Sequence, residues 1–425
     1  MPNSEIKPPA PHRGSLVVIF FTVFIDLLGF GIVLPLLPLY ADQYDTDPSG
    51  LMIGLLMASF SIMQFVFAPI WGSLSDRIGR RPVLMIGLFG SVVFYTLFGV
   101  ATLYQSLTGL FITRIGAGIA GATIPTAQAY IADTTDKENR TRGMALIGVA
   151  FGLGFTLGPL FAYFAVASDG QGDPGASPGF IAAGLSSIAF LMAIFLLPES
   201  LNRDAVPDRH RWWDLQPWKA ALSNRAIVWL LLGFFFCIFT FSKFETTLSL
   251  LIKGSDNFAQ APFTFTYQQI CLTYAAIGLM VAVVQGGIVR RLSKRVSERN
   301  LAVAGAAIEV VGFGLIGYAA SIGSVNWLFI SLAVIVTGYS CLQPSLYSLL
   351  SRWTDPRQQG KVLGVGQSVS ALARIVGSAL GIPLLKANLL LPYWLGAVLM
   401  LFVGAAIWFA CRLGHDFAAE EPQNG

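Results

Sequence analysis

Read by polarity alone, the chain alternates between long apolar runs and short polar or Gly/Pro-rich turns. A helix needs about 20 apolar residues to cross the ~30 Å hydrocarbon layer of a bilayer. Twelve such runs occur, near 16–39, 51–72, 83–103, 107–131, 143–166, 179–198, 226–250, 267–289, 300–321, 326–350, 361–385 and 391–411. The pattern predicts an all-α integral membrane protein with twelve transmembrane helices. Composition excludes the competing reading of buried core elements in a soluble protein: 55% of residues are apolar and only 12% charged, against about 25% charged in ordinary soluble domains. The first run is too long for a cleavable signal and is followed by no small-residue cleavage site.

The longest polar interruption divides the runs into two sets of six. It predicts an N-terminal tail (1–15), a six-helix bundle (16–198), a linker (199–225), a second bundle (226–412) and a C-terminal tail (413–425). The linker carries Trp212, Trp213 and Trp218 among basic residues, which suits either an interfacial helix lying along the headgroups or a plain connector. The halves repeat weakly: Pro125 matches Pro344, Thr135-Asp136 matches Thr354-Asp355, and Asp26 matches Glu245, all at a spacing of 219 residues. Repeated halves are a common construction of transporters.

Charge then orients the chain. Assigning alternate turns to one side collects 22 of the 27 basic residues there, and short cytoplasmic loops are enriched in Lys and Arg. Both termini are therefore expected in the cytoplasm of a cell with the protein in its inner or plasma membrane. The net charge of +4 expresses that bias and implies no nucleic-acid partner.

Nothing in the sequence points to an enzyme. It holds no GxxxxGK[ST], GxSxG, HExxH or CxxC, so neither a cofactor nor a metal is expected. Cys237, Cys271, Cys341 and Cys411 are scattered singly through apolar runs, and His12, His210 and His415 lie outside them. A proton crossing with this protein would have to ride on a carboxylate.

The charges inside the runs are few and carry the candidate chemistry. A charge at the centre of a span costs roughly 2.5 to 3.5 kcal/mol on insertion scales, so such residues face the bundle interior and are functional candidates by default. They are Asp26, Glu245 and Glu309 with Arg114, Lys243 and Arg374. Lys243 and Glu245 read as near the outer end of their span, where long side chains reach water. Gln128 and Gln343, close to Pro125 and Pro344, add neutral polar contacts. With three acids against three bases the interior has no dominant sign.

Three stretches resemble the major facilitator superfamily: "GSLSDRIGRRPV" (72–83) its loop between spans two and three, "RIGAGIAGATIPTAQAYIADTTD" (114–136) its fourth-span motif, and "GLGFTLGP" (152–159) its fifth-span antiporter motif. With "DLLGFGIVLPLLP" in span one, the chain is similar to the tetracycline–proton antiporter and drug-efflux branch. The resemblance implies a secondary transporter working by alternating access, a small-molecule substrate held between the halves, a coupled proton and a monomer in the bilayer. Within the fold it implies that spans one and four lie side by side, so that Asp26 pairs with Arg114. It also sets Glu309 at an acidic position of the tetracycline branch.

Gly72, Asp76, Arg77, Gly79, Arg80, Arg81 and Asp133 form the implied cytoplasmic gate, in which Asp76, Arg80 and Asp133 either latch or serve only as topogenic charge. Gly154, Gly158 and Pro159 form the implied packing motif of span five, which departs from the family at Phe161 and Ala162. Phe94 stands where the tetracycline branch has an aspartate, which implies bulky amphipathic compounds rather than tetracycline. A sugar or organic-ion symporter or uniporter is the alternative within the fold, and a non-transporting receptor the alternative outside it.

Overall fold

In hydrocarbon a backbone N–H or C=O has no water to bond, so a spanning segment must satisfy its own polar groups, and the helix does so. The computed structural model describes residues 13–44, 47–135, 140–166, 174–201, 216–254, 261–355 and 358–414. Both tails beyond these limits, Trp212, Trp213, the three histidines, Asp136 and Lys137 lie outside the described residues. Among those described, twelve helices are long and apolar enough to cross a membrane: Leu16–Tyr44, Leu51–Ile78, Arg80–Leu103, Leu107–Thr134, Leu146–Ala165, Ser177–Leu196, Arg225–Lys253, Tyr267–Leu292, Glu298–Ile322, Val325–Arg352, Gln359–Ala387 and Leu391–Leu413. They are spans one to twelve below. Span one runs past the expected end at 39, because Pro35 falls in a turn and Pro38 in the first turn of the short helix Leu37–Tyr44, where its missing N–H costs no helical hydrogen bond.

The repeated prolines have different consequences. Pro344 lies inside a continuous span ten. At Pro125, span four breaks into Leu107–Ala120 and Ile124–Thr134. Proline has no N–H to offer the carbonyl four residues back, here that of Gly121, and the Gln64 side-chain amide of span two donates to it at 3.2 Å. The Trp71 indole N–H donates to the neighbouring Ile119 carbonyl at 2.7 Å. Two span-two side chains thus repair the break.

Spans one to six pack among themselves, as do seven to twelve. Span one lies on five and six, and three on four and six; seven lies on eleven and twelve, and nine on ten and twelve. Small residues permit the closest approaches, as they do generally between helices in lipid. A Cβ on Gly31 would sit 2.6 Å from the Gly154 carbonyl oxygen, and one on Gly158 would sit 2.6 Å from Gly31. In the linker, the described helix Gln216–Ser223 packs against spans seven and eleven, with Trp218 half-buried.

Two seams join the bundles, span two on eleven and span five on eight. Their tight contacts lie away from the arginine-rich turns. A Cβ on Gly54 would strike the Ala379 carbonyl, Lys386 Nζ donates to the Asp47 carbonyl at 2.8 Å, and Gln43 Nε2 to the Tyr267 hydroxyl at 2.9 Å. Asp47, in the loop before span two, also accepts from the Ser49 hydroxyl and from backbone N–H groups, which holds its carboxyl below the usual range. Along the other seam, Gly278 touches Thr156. Toward the arginine-rich side the same faces part: Cβ atoms on Gly148, Gly152, Gly286 and Gly287 would meet nothing within 4 Å. Span eight is π-helical over Val284–Val289, within the parted stretch.

Gly54→Leu should therefore force spans two and eleven apart, whereas Gly148→Leu should be accommodated. Spin labels at Asp47→Cys and Lys386→Cys read this directly: the distance should lengthen in the first variant and stay unchanged in the second. Equal lengthening in both would contradict the parted seam.

Candidate functional site

In the first bundle the intramembrane charges gather around Tyr95 of span three. Asp26 is beside Ser91, and its Oδ1 is buried without a partner. Tyr95 is 4% exposed and lies within electrostatic reach of both Asp26 and Arg114. The expected Asp26–Arg114 pair is not formed: no ion pair joins them among the described residues. Span one packs mainly on five and six, leaving only a few contacts with four. The Arg114 guanidinium instead lies 4.4 Å over the Phe60 ring and 5.6 Å from that of Phe30. Arg114 is 3% exposed and its Nε is buried with no partner among the described residues. Cation–π contact of this kind contributes ~0.5–2 kcal/mol, less than an ion pair would return to a desolvated cation. Phe30 also meets Phe155 at 5.7 Å, edge to face, so the guanidinium is walled by aromatic rings.

The second bundle repeats the arrangement around Tyr339 of span ten, which stacks on Phe241 with ring centroids 3.8 Å apart. Glu245, Glu309, Arg374 and Cys237 all lie within its electrostatic reach. Glu245 also feels Arg374, although no ion pair joins them. Glu309 is 1% exposed against Gly338. Lys243 departs from expectation. Two residues from Glu245 on a helix it points the other way, and it does not reach water: the side chain is fully buried and donates to the Pro392 carbonyl. Gln128 is exposed and Gln343 half-buried.

Phe94 does not stand with the charged groups. A Cβ on Gly116 would collide with its ring, so Phe94 fills the notch between spans three and four. The phenyl that sequence reading assigned to substrate choice serves helix packing.

At the arginine-rich end, Arg80 of span three is the centre of a network. Its Nε donates to Asp133 Oδ2 at 3.0 Å, its Nη1 to the Ser75 hydroxyl at 2.7 Å and to Asp76. Asp76 and Arg77 are exposed and Gly72 is half-buried. The network also includes Glu199, which the sequence reading missed. Its carboxylate accepts from the backbone N–H groups of Arg80 at 2.9 Å and Arg81 at 3.2 Å, where a helix N-terminus presents unpaired donors and favours negative charge. Arg81 returns the contact through Nη2 to the Ile194 carbonyl at 2.5 Å. Gly79 holds φ +113°, a backbone open in practice only to glycine, and a Cβ there would run into the Glu199 carboxylate. All of these residues belong to the first bundle, so in this structure the cluster bridges spans two, three, four and six without crossing to the second half.

The second bundle has a pair of reversed polarity at nearly the same place, one residue out of register on the span-nine side, where Glu298 matches Gly79 rather than Arg80. Arg352, 219 residues after Asp133, donates through Nη1 to Glu298 at 2.9 Å.

With this geometry in view, comparisons with known proteins agree on the family. A sequence model of the Major Facilitator Superfamily matches residues 19–378 and 291–423. The chain is 31% identical over 400 residues to the class C tetracycline resistance protein of Escherichia coli, covering 94% of this chain and 96% of that one. Its fold matches the crystal structure of the human organic anion transporter MFSD10 (TETRAN) with a TM-score of 0.66 and 26% identity, covering 94% of this chain and all of that one. A bacterial homologue of the human lysosomal transporter Spinster, in an inward-facing conformation, matches with a TM-score of 0.74 at 12% identity, over 97% and 98% of the two chains.

Gly79→Ala should be destabilising through both its backbone and its collision with Glu199, by roughly 1–3 kcal/mol. Glu199→Ala relieves the collision, so the double variant should lose less than the sum of the two single losses. Thermal unfolding in detergent measures all three, and strict additivity would show that the glycine and the carboxylate do not share that space.

Proposed function

The chain belongs to the major facilitator superfamily and is a multi-pass membrane transporter rather than an enzyme, and from that premise we propose that it is a proton-coupled antiporter exporting amphipathic small molecules, drugs among them. Transporters of this kind need no cofactor. The arginine-rich side is the cytoplasmic one, with both termini there and the chain acting as a monomer in the inner or plasma membrane. The parted seam then opens toward the cytoplasm and admits substrate between the bundles. The amphipathic class is supported by the mixture of groups in mid-span: the rings of Phe30 and Phe60 lie against Arg114, and Phe241 stacks on Tyr339 within reach of Glu245, Glu309 and Arg374.

The observation that carries the reading is Asp26, a mid-span carboxylate with a buried oxygen that has neither an ion pair nor a hydrogen bond. A carboxyl group taken from water without a countercharge is favoured in its neutral, protonated form. A cationic or donor-rich substrate reaching Asp26 from the cytoplasm displaces that proton, and after the bundles reorient a proton from outside displaces the substrate. Exchange of one proton for a neutral donor-rich substrate carries one net charge inward, for which 100 mV supplies about 2.3 kcal/mol; exchange for a monocation is electroneutral and is driven by the pH difference alone. Glu245, Glu309 and Arg374 offer the second bundle an equivalent group of titratable and charged side chains.

Arg114 favours a second reading. A buried guanidinium without an anionic partner suits an acidic substrate, and the human relative is titled an organic anion transporter. The two readings differ in sign. An ionised Asp26 repels an anion on Arg114 and a protonated one does not, so proton and anion would move the same way.

In proteoliposomes, an added amphipathic cation should move protons opposite to itself, and Asp26→Asn should abolish transport driven by a pH gradient while leaving equilibrium binding. Wild-type gradient-driven rates in that variant would overturn the assignment. Proton movement in the same direction as an added organic anion, lost in Arg114→Gln, would select the second reading. In a drug-sensitive host the protein should give resistance to several amphipathic drugs; resistance to tetracycline alone would contradict the substrate class.

A further inference from the structure

On the lipid-facing side of the first bundle, at the arginine-rich end, a groove of about 590 Å³ runs between spans three and six. Arg81 and Pro82 form its mouth; Met85, Ile86, Phe89 and Phe190 form its walls. We propose that this groove holds one anionic phospholipid of the adjoining leaflet, with the phosphate on Arg81 and an acyl chain along the four apolar side chains.

The placement follows the bilayer. Arg81 is the second residue of span three, at headgroup depth. At 1.5 Å per residue the walls formed by Met85, Ile86 and Phe89 lie about 6–12 Å deeper, along the direction an acyl chain takes. Ile86 is 47% and Phe89 54% exposed, and Phe89 leans on Phe190 with centroids 5.7 Å apart. The groove is thus open to lipid along its length.

Its polar end is built for an anion. Arg81 has five N–H donors. One reaches the Ile194 carbonyl, which fixes the guanidinium across the two spans; Nε is buried within the protein, so a phosphate in the groove meets the remaining N–H groups of the two Nη atoms. The Glu199 carboxylate accepts from the backbone N–H groups of Arg80, Arg81, Ser200 and Leu201 and, among the described residues, forms no ion pair with the Arg81 side chain. Arg80 is occupied by Asp76 and Asp133. A phosphate therefore meets an available guanidinium rather than a neutralised one. A neutral lipid would fill the apolar walls and leave that guanidinium unserved. The second bundle has Asn300 at the position 219 residues after Arg81, so this particular guanidinium has no counterpart in the repeat. The site ties spans three and six beside the Arg80 network, which makes the stability of that end responsive to leaflet composition. The proposal is independent of what the protein carries.

The test uses the full chain, purified in detergent and stripped of lipid, titrated with phosphatidylglycerol, with phosphatidylcholine of the same chains and with inorganic phosphate. Native mass spectrometry counts bound lipid and thermal unfolding reads stabilisation. Phosphatidylglycerol should bind at one copy and raise the unfolding midpoint; the other two should not. Arg81→Gln should weaken phosphatidylglycerol binding by roughly fivefold, the contribution of one basic residue near an anionic surface. Met85→Trp, which fills the groove and keeps Arg81, should block binding as well, and serves should Arg81→Gln fail to fold. Equal binding of phosphatidylcholine would overturn the proposal, as would equal stabilisation by inorganic phosphate, which would mark an ion seat without a lipid. Undiminished phosphatidylglycerol binding in Met85→Trp would do the same.

Discussion

A polar group inside hydrocarbon has to find its partner within the protein, because each unsatisfied group costs several kcal/mol. Most irregularities of this chain are organised around that demand. The Pro125 break is served by Gln64 and Trp71, the start of span three by Glu199, and the Lys243 ammonium by the Pro392 carbonyl. Several buried hydroxyls and the Arg81 Nε also go without a partner, but among the mid-span charges two cases are informative. Asp26 and Arg114 each keep a buried atom with no partner, and both lie in reach of the same tyrosine. Structural charges would have been neutralised by one another; here the Arg114 guanidinium faces the rings of Phe30 and Phe60 instead.

How much of this was legible in the chain depends on the range over which each feature is determined. The twelve spans were legible because an apolar run of sufficient length has one solution in a bilayer. The demand for glycine at residue 79 was legible from the tight turn, although half of its cause was not: Glu199 lies 120 residues further on, and nothing local marks it as a cap. Tyr95 and Tyr339 were hidden among many aromatics, since their importance comes only from what surrounds them. Gln64 could have been found. It is a polar residue in "SIMQFVF", and the argument that singled out Asp26 applies to it equally. Phe94 and the Asp26–Arg114 pair were misread for one reason: span contacts were borrowed from the family, and which face of a helix a residue occupies was not. Lys243 shows the same limit, since its depth in the span was taken from sequence position while its burial comes from span twelve.

The two bundles share an architecture without sharing their charges. Tyr95 and Tyr339 play like parts on spans three and ten, which are not equivalent in the repeat. At the arginine-rich end the residues equivalent in the repeat, Asp133 and Arg352, carry opposite sign. Each bundle is thereby braced by its own ion pairs, two on the buried Arg80 in the first and the half-exposed Arg352–Glu298 pair in the second, and pairs near the surface are worth little individually. Their value here is geometric, since they fix the ends of neighbouring spans that must move together when the seams open and close.

The repaired break in span four has a consequence for how the molecule is made. The donors that Gly121 and Ile119 require are carried by span two, which leaves the ribosome some fifty residues earlier. When span four emerges, its partner already stands in the bilayer, and the chain supplies the acceptor after the donor. A permuted chain with span four synthesised first would leave the Gly121 carbonyl without its Gln64 donor, and the Ile119 carbonyl with little more than the long bond from the Ala122 N–H, until span two arrived. The order of the spans along the gene is in this respect part of the structure, a sequence of assembly in which each fault is delivered to a neighbour already able to mend it.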